Sequence, residues 1–267
     1  MRLIFLLALP TTALAGPWTR DAGQAYVKVS EGAFFADAFR DAEGRLQRGV
    51  DYLGLTTALY LELGLLEDLH LQLYLPHIVA INDFETVKSR YLSAGGGDAQ
   101  LGLQAGLPLP IPAAVRGVLK VPLYDVGAIG GREADYFPLR GDGQIDASLM
   151  ISAGYAHRAF YGFAEVGHQI RTTRFTGAGG TARYGDGLVW AAQVGWGGLG
   201  PTLALNAGGV VPWADDLVTK AYTSVGPSVY WPIHGGLALE LGYDRVVQAT
   251  NSALGQGITL GLSHDLQ

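Results

Sequence analysis

The chain has 267 residues, of which 49% are hydrophobic and 16% are charged, and its formal net charge is −6. This balance excludes a disordered chain and disfavours nucleic-acid binding. The absence of cysteine excludes a disulfide framework, thiolate metal sites and a cysteine nucleophile. Beyond the N-terminus, no apolar run approaches the roughly 18 to 20 residues that a spanning helix needs, so helical membrane insertion is excluded.

The N-terminus has the pattern of an export signal. Arg2 precedes an apolar stretch over residues 3–9, and Ala13 and Ala15 supply small residues before Gly16. We therefore predict a signal peptide over residues 1–15 and a single mature domain over residues 16–267. The alternative, an N-terminal membrane anchor, requires a longer stretch than one of about a dozen residues interrupted by Pro10.

The first strong element of the mature chain is a hairpin. Over residues 53–63, Leu or Thr at every odd position alternates with Gly, Thr, Ala, Tyr or Glu, which is the period of a strand. After residues 64–68 the pattern resumes with leucine at positions 69, 71, 73 and 75. Each strand of the predicted hairpin therefore has one apolar face.

The same alternation recurs along the chain. It is clear at residues 99–107 and 145–153, where alanine, leucine or isoleucine at the odd positions alternates with mainly polar residues or glycine at the even positions. Weaker copies lie at residues 24–35, 114–124, 159–171, 187–196, 202–211, 222–231, 236–245 and 256–266. The sequence therefore predicts about twelve strands.

The connections between these strands decide the fold class. Those after the even-numbered strands are short, and those after the odd-numbered strands are mostly longer, as in outer-membrane barrels with periplasmic turns and extracellular loops. Ten residues at a rise of ~3.3 Å and a tilt of ~45° cover roughly 23 Å, close to the apolar band of such barrels. We predict an all-β fold: a transmembrane up-and-down antiparallel β-barrel of about twelve strands.

Two further observations bear on this fold. Aromatic residues lie near the predicted strand ends, where interfacial girdles are expected: Phe34, Phe35, Tyr52, Tyr124, Tyr155, Phe160, Trp190, Trp196, Trp213, Tyr222, Trp231 and Tyr243. The alternative fold is a soluble, secreted β-sandwich. A sandwich would carry more charges on its solvent face, whereas these polar faces consist mainly of Gly, Ala, Ser, Thr and Gln, which favours a barrel lumen.

Three short motifs carry a family resemblance. They are GGGDAQLGL at residues 95–103, LKVP at 119–122 and GDGQID at 141–146. With the hairpin at 60–76, the chain resembles a family of outer-membrane, transporter-like β-barrels labelled phenol-degradation (meta-pathway) proteins. The resemblance implies a barrel that passes small, often apolar solutes, and it carries over no catalytic residues. The chain departs from common barrel practice at its end, where Leu266 and Gln267 replace a terminal aromatic residue.

No motif indicates catalysis or cofactor binding. G-x-S-x-G and H-E-x-x-H are absent, and the six histidines lack metal-ligand spacing. The G-x-G-x-x-G match at residues 195–200 precedes a predicted strand instead of the helix that a dinucleotide site requires. We therefore expect no enzymatic activity, no cofactor and no metal. The expected partners are outer-membrane lipids, the barrel-assembly machinery and small solutes, without nucleic acid.

The candidate functional residues are those that the alternation places inside the barrel. They are Lys28, Tyr60, Glu62, His70, Tyr74, Asp98, Arg116, Lys120, Asp146, Glu165, Arg171, Glu240 and Asp244. An enclosed charge is costly unless it is paired or reached by water, so these residues either form a paired plug or line a polar conduit. Twelve strands lie between the eight whose side chains fill a barrel and the sixteen of open pores, so width does not decide.

The long third loop, residues 124–142, is more apolar at Ile129 and at Tyr136, Phe137 and Pro138 than a solvated loop requires. It either folds inward as a constriction or stays on the surface, and the sequence favours the surface loop.

Our leading hypothesis is an outer-membrane channel or transporter for passive passage of small solutes, including small apolar or aromatic compounds. The alternative is a non-conducting structural or surface-interaction barrel.

Overall fold

The computed structural model describes residues 16–85, 88–124, 136–171, 175–177, 180–182, 184–197, 200–214 and 218–266. The predicted signal peptide lies outside these residues. No helix in the described ranges is long and apolar enough to cross a membrane. The strands are β1 (Ala25–Arg40), β2 (Leu46–Leu66), β3 (Leu69–Phe84), β4 (Ser89–Gly96), β5 (Asp98–Gly106), β6 (Ala113–Pro122), β7 (Asp146–His157), β8 (Phe160–Arg171), β9 (Phe175–Gly177), β10 (Gly180–Ala182), β11 (Gly187–Gly197), β12 (Thr202–Pro212), β13 (Ala221–His234), β14 (Leu237–Thr250) and β15 (Ser252–Leu266).

The strands form a closed wall in which every neighbouring pair is antiparallel. β4 and β5 are two parts of one wall strand, interrupted at Gly97, and both pair with β3. At the interruption, the Gly97 N–H donates to the Pro76 carbonyl oxygen at 3.0 Å. The thirteen strands of the main sheet thus make twelve wall strands in the described part of the chain, while β9 and β10 form a separate hairpin.

Closure excludes the β-sandwich. The first strand, β1, pairs with the last, β15, from Ala25 opposite Leu266 to Arg40 opposite Ser252, and with β2 on its other side. Because the sheet has no free edge, every strand backbone can be satisfied without water, as a bilayer requires. The predicted all-β, twelve-stranded antiparallel barrel is confirmed.

Each of the twelve predicted strands coincides with a wall strand, but several are longer than predicted. β2 has 21 residues and β3 has 16, whereas the leucine alternation marked eleven and seven. The additional residues of β2 and β3 include polar ones such as Asp51 and Asp83, which lie where the wall extends beyond its apolar band. Apolar alternation marks only the part of a strand that faces lipid, so it could not detect these extensions.

The apolar alternation faces outward. Leu55 and Leu59 in β2 are 41% and 39% exposed, whereas Tyr60 and Glu62 are each only 6% exposed because they point into the barrel. A soluble protein would bury the leucines instead. An apolar outer face and a polar inner face are typical of a barrel whose outer face contacts lipid.

The barrel has two different ends. The turn end carries the connections after β2, β5, β7, β11 and β13, and the loop end carries those after β1, β3, β6, β8, β12 and β14. Loops are not uniformly longer at the loop end, since β14 and β15 are joined by Asn251 alone, at a positive φ of 49°. Exposed aromatic residues lie at both ends, for example Trp196 and Trp231 at the turn end and Trp213 at the loop end, as expected for interfacial girdles. Phe34, Tyr52 and Tyr222, which the sequence also assigned to the girdles, point into the barrel instead.

One polar row crosses the apolar outer face. Glu31, Thr57 and His77 are exposed neighbours on β1, β2 and β3, and the Thr57 hydroxyl donates to Glu31 Oε2 at 2.9 Å. A carboxylate within the lipid-facing band is unfavourable. We expect Glu31→Leu to raise the free energy of unfolding by about 1 kcal/mol, measured by urea unfolding in lipid vesicles.

The control is Asp37→Leu, on the same strand but beside Arg48 near the loop end. It should change the free energy of unfolding by less than about 0.5 kcal/mol. A loss of stability on replacing Glu31 would contradict the lipid-facing assignment of this row.

Candidate functional site

The structure places all thirteen residues of the predicted lumen set on the inner face of the wall. Ten of them line one cavity: Lys28, Tyr60, Tyr74, Arg116, Lys120, Asp146, Glu165, Arg171, Glu240 and Asp244. The other three are covered by parts of the chain outside the wall. Glu62 and His70 lie under the segment that precedes β1, and Asp98 lies under the end of the third loop.

Towards the turn end, inner charges are joined between strands that are separated by one intervening strand. Lys28 Nζ lies 3.0 Å from Glu240 Oε2, and the Tyr26 hydroxyl donates to the other oxygen of the same carboxylate. The Arg116 guanidinium forms an ion pair with Glu165. These ion pairs link inner-face side chains of different strands, so the charges involved are not isolated in the lumen.

A second set, the loop-end cluster, consists of Lys120, Arg171, Lys220, Asp98, Asp142 and Asp146. Lys120 Nζ lies 3.2 Å from Asp98, 2.9 Å from Asp142 and 2.6 Å from Asp146. Lys220 Nζ lies 2.8 Å from the second oxygen of Asp142. Three cations and three carboxylates therefore form one neutral network.

Asp142 is the centre of the loop-end cluster. Burial alone would raise the pKa of its carboxyl, but the ammonium groups of Lys120 and Lys220 and the Arg171 guanidinium hold that pKa well below its usual range. Asp142 is therefore a carboxylate at neutral pH, and it draws together a loop and two wall strands.

The third loop corrects a prediction. The sequence favoured a surface loop, but its end, residues 136–142, lies inside the barrel: the Tyr136 carbonyl accepts from Asn82 Nδ2 at 2.9 Å, and Pro138 is fully buried. The Asp142 N–H donates to Asp98 Oδ2 at 2.9 Å. The apolar side chains at the end of the loop thus pack against the inner face of the wall. Residues 125–135, including Ile129, lie outside the described residues.

The segment that precedes β1, residues 16–24, closes part of the turn end and is called the N-terminal segment below. Gln104 Nε2 donates to the carbonyls of Gly16 and Trp18 at 2.9 and 3.3 Å. Arg20 contacts Glu62 and Asp265, each at 2.5 Å.

At its beginning, the N-terminal segment also contacts β8, on the side of the barrel away from β1. The Trp18 ring packs edge-on against the inward ring of Phe163 in β8, with centroids 5.9 Å apart. The segment therefore crosses from β8 to β1 and, at the turn end, covers inner-face residues of β2, β3, β5 and β8.

A cavity of about 570 Å³ remains between the inner residues of β1 to β8 and the inner face of the second half of the wall. On β12 it touches inner-face residues from Thr202, the first residue of the strand, to Val210, two residues before its end. Small residues such as Ala204, Gly208 and Ser228 leave this space open. The bulky and charged residues of β1 to β8 and the two inward segments thus occupy one side of the lumen, and the passage follows the other.

Sequence reasoning missed Arg20, Asp142 and Lys220 because they lie outside the wall strands, where no alternation marks a face. One signal was available. The predicted lumen set contains six acids and four bases, so a closely paired interior needs additional cations. Arg20 and Lys220 supply two. Among the described residues, no group of three or more His, Asp or Glu is arranged to hold a metal ion.

Wall and interior together define a closed transmembrane β-barrel with a constricted, polar lumen. Its fold is shared with the COG4313 outer membrane channel from Pseudomonas putida F1, at a TM-score of 0.74 and 12% identity, covering 93% of this chain and 97% of that one. It is also shared with the NanC porin, at a TM-score of 0.56 and 11% identity, covering 90% and 100%.

The translocator domain of the autotransporter NalP from Neisseria meningitidis is a third similar structure, at a TM-score of 0.54 and 8% identity, covering 92% of this chain and 89% of that one. At these identities the likeness concerns the fold alone. No protein-family model and no curated protein matches the chain in sequence. None of these three similarities bears on the phenol-degradation label of the family that the motifs resemble.

Proposed function

We propose that this barrel resides in the outer membrane and is a channel for passive passage of small solutes. The observation that carries the proposal is the cavity of about 570 Å³, which follows β12 from Thr202 to Val210. A barrel whose interior served only for support would have no reason to keep one side of its lumen lined by small residues. Small residues there cost packing contacts that larger side chains would supply.

The nature of the solute follows from the size and lining of the passage. A volume in the range of ordinary small-molecule sites limits the solute to small compounds. The lining combines aromatic residues such as Tyr222 and Tyr230 with polar residues such as Gln193 and Asn206. This lining supports passage of small compounds with an apolar or aromatic body, as the family resemblance implies. No constellation in the described residues supports an enzymatic alternative.

Location and partners follow from the same wall. The exposed leucines require outer-membrane lipid as their solvent, the predicted signal peptide provides export, and insertion of a closed barrel calls for the barrel-assembly machinery. A faster migration of the unboiled protein than of the heated protein on a detergent gel tests for the folded barrel.

The proposed passage predicts where a large side chain blocks conduction. Ala204 points into the cavity, and its neighbour Leu205 is 56% exposed on the outer face. We expect Ala204→Trp to lower single-channel conductance in planar bilayers several-fold, whereas Leu205→Trp should leave it unchanged, because adjacent strand residues point to opposite faces.

Paired charges favour a second candidate function, a non-conducting structural barrel. A folded wild-type protein without conductance, together with no solute-uptake defect when the gene is deleted, would overturn the channel proposal in favour of this one. Conductance that Ala204→Trp leaves unchanged would place the passage elsewhere in the lumen.

A further inference from the structure

One lumen carboxylate differs from all the others. The other five acids of the predicted lumen set each contact a lysine or arginine: Glu62 contacts Arg20, Asp98 and Asp146 contact Lys120, Glu165 contacts Arg116, and Glu240 contacts Lys28. For Asp244, no Lys, Arg or His of the described residues lies within ion-pair distance. In a lumen whose charges are otherwise matched, Asp244 is an uncompensated negative charge facing the passage.

An aromatic ring lies beside this carboxylate. Asp244 on β14 and Phe34 on β1 are the two neighbours of Gly257 on β15. The Asp244 carboxylate lies over Gly257, where a Cβ would be 2.5 Å from Oδ1, and the Phe34 ring lies over Gly255. Inner-face positions two residues apart on a strand are separated by roughly 7 Å. A group placed between them therefore contacts both the carboxylate and the ring.

Asp244 and Phe34 also border a recess beside the main cavity. The recess has a volume of about 30 Å³, and Tyr74, Thr56 and Thr259 line it together with them. Glycine at positions 32, 54 and 257 leaves the space unfilled. A volume of this size accommodates a group as large as one water molecule. Asp244, Phe34 and Tyr74 line the main cavity as well, so the recess opens off the passage.

One buried polar atom of a residue that lines the recess has no partner. The Tyr74 hydroxyl is buried and makes no hydrogen bond in the structure. Its oxygen is able to accept from an N–H donor, as the carboxylate of Asp244 is. The recess therefore presents a negative charge, an aromatic ring and a hydrogen-bond acceptor to the same small space.

We propose that this recess is a binding subsite for the ammonium group of a small organic cation. The ammonium enters the recess between Asp244, Phe34 and Tyr74, and the apolar body of the solute stays in the wider cavity. A carboxylate supplies the charge, and an aromatic ring adds a cation–π attraction that a neutral hydroxyl cannot use. The inference deepens the proposed channel function, on which it rests for the route by which the cation arrives.

Equilibrium binding to the folded barrel in detergent tests the subsite without requiring conduction. Benzylammonium and benzyl alcohol are matched probes, because they share the ring and differ in the charged group. Isothermal titration calorimetry should show benzylammonium binding at least tenfold tighter. Asp244→Asn should remove this difference, and Phe34→Leu should weaken benzylammonium binding several-fold while keeping an apolar side chain.

Asp265→Asn is the matched control. It makes the same chemical change at the turn end and leaves Arg20 paired with Glu62, so it should preserve the preference for benzylammonium. Equal loss in both variants would mean that only net charge matters, and an unchanged preference in Asp244→Asn would also overturn the subsite. Binding without conductance would instead refute the channel while the subsite stands. Conductance with no preference for the amine would leave the channel and refute the subsite.

Discussion

Replacing Lys120 by methionine is expected to lower the free energy of unfolding by ~3 to 5 kcal/mol. The Lys120 ammonium lies within 3.2 Å of Asp98, Asp142 and Asp146. Its side chain is 13% exposed and that of Asp146 is 1% exposed. Methionine keeps most of the apolar stem and removes the charge, so the carboxylates are left enclosed without the cation that they share.

Urea unfolding in lipid vesicles, followed by tryptophan fluorescence, measures this loss. Arg48→Met is the matched control because Arg48 pairs with Asp37 on the exposed outer surface, where such pairs contribute less than about 1 kcal/mol. If Lys120→Met also costs less than about 1 kcal/mol, water reaches the loop-end cluster and the solute passage runs through it.

A large loss of unfolding free energy in Lys120→Met would reconcile the two hypotheses that the sequence left open, a paired plug and a polar conduit. The charged side of the lumen would then act as a dry, paired support, while the small-residue side remains the conduit. Plug and conduit would be different sectors of the same barrel. In this arrangement the paired charges stabilise the wall against collapse, and selectivity falls to the residues that face the remaining space.

The fold could be predicted because lipid imposes a simple rule on the wall. Every strand must alternate between an apolar outer face and a different inner face, and the leucines of β2 and β3 display this rule directly. The rule ends where the apolar band ends. This is why the polar extensions of β2 and β3, and the break of one wall strand at Gly97, could not be derived from periodicity.

Alternation assigns a face of the wall to each of these residues, but it could not assign their partners. Pairing depends on register and on which segments enter the lumen. Asp142, Lys220 and Arg20 reach the interior from connections or from the N-terminal segment, where no face is defined. The third loop shows the same limit, since Pro138 is equally compatible in sequence with an exposed turn and with the buried position that it occupies.

Deleting residues 17–22 is expected to raise single-channel conductance on the order of twofold, because the N-terminal segment narrows the turn end of the lumen. The deletion removes Trp18 from its contact with Phe163 and Arg20 from its contacts with Glu62 and Asp265. It leaves every wall strand intact, so the barrel should still show the heat-dependent gel shift. Planar-bilayer recordings of the folded protein measure the effect.

The control for this deletion is a change at the opposite end. Removing residues 42–44 shortens the connection between β1 and β2 at the loop end, where Glu43 is exposed and which does not line the cavity, and should leave conductance unchanged. If removal of the N-terminal segment also has no effect, the narrowest point lies elsewhere, and the loop-end cluster is the remaining obstacle on the path. A rise in conductance would instead place the resistance at the turn end. The two ends are thus distinguished by one measurement, because the N-terminal segment and the loop-end cluster occupy opposite ends of the same lumen and act in series.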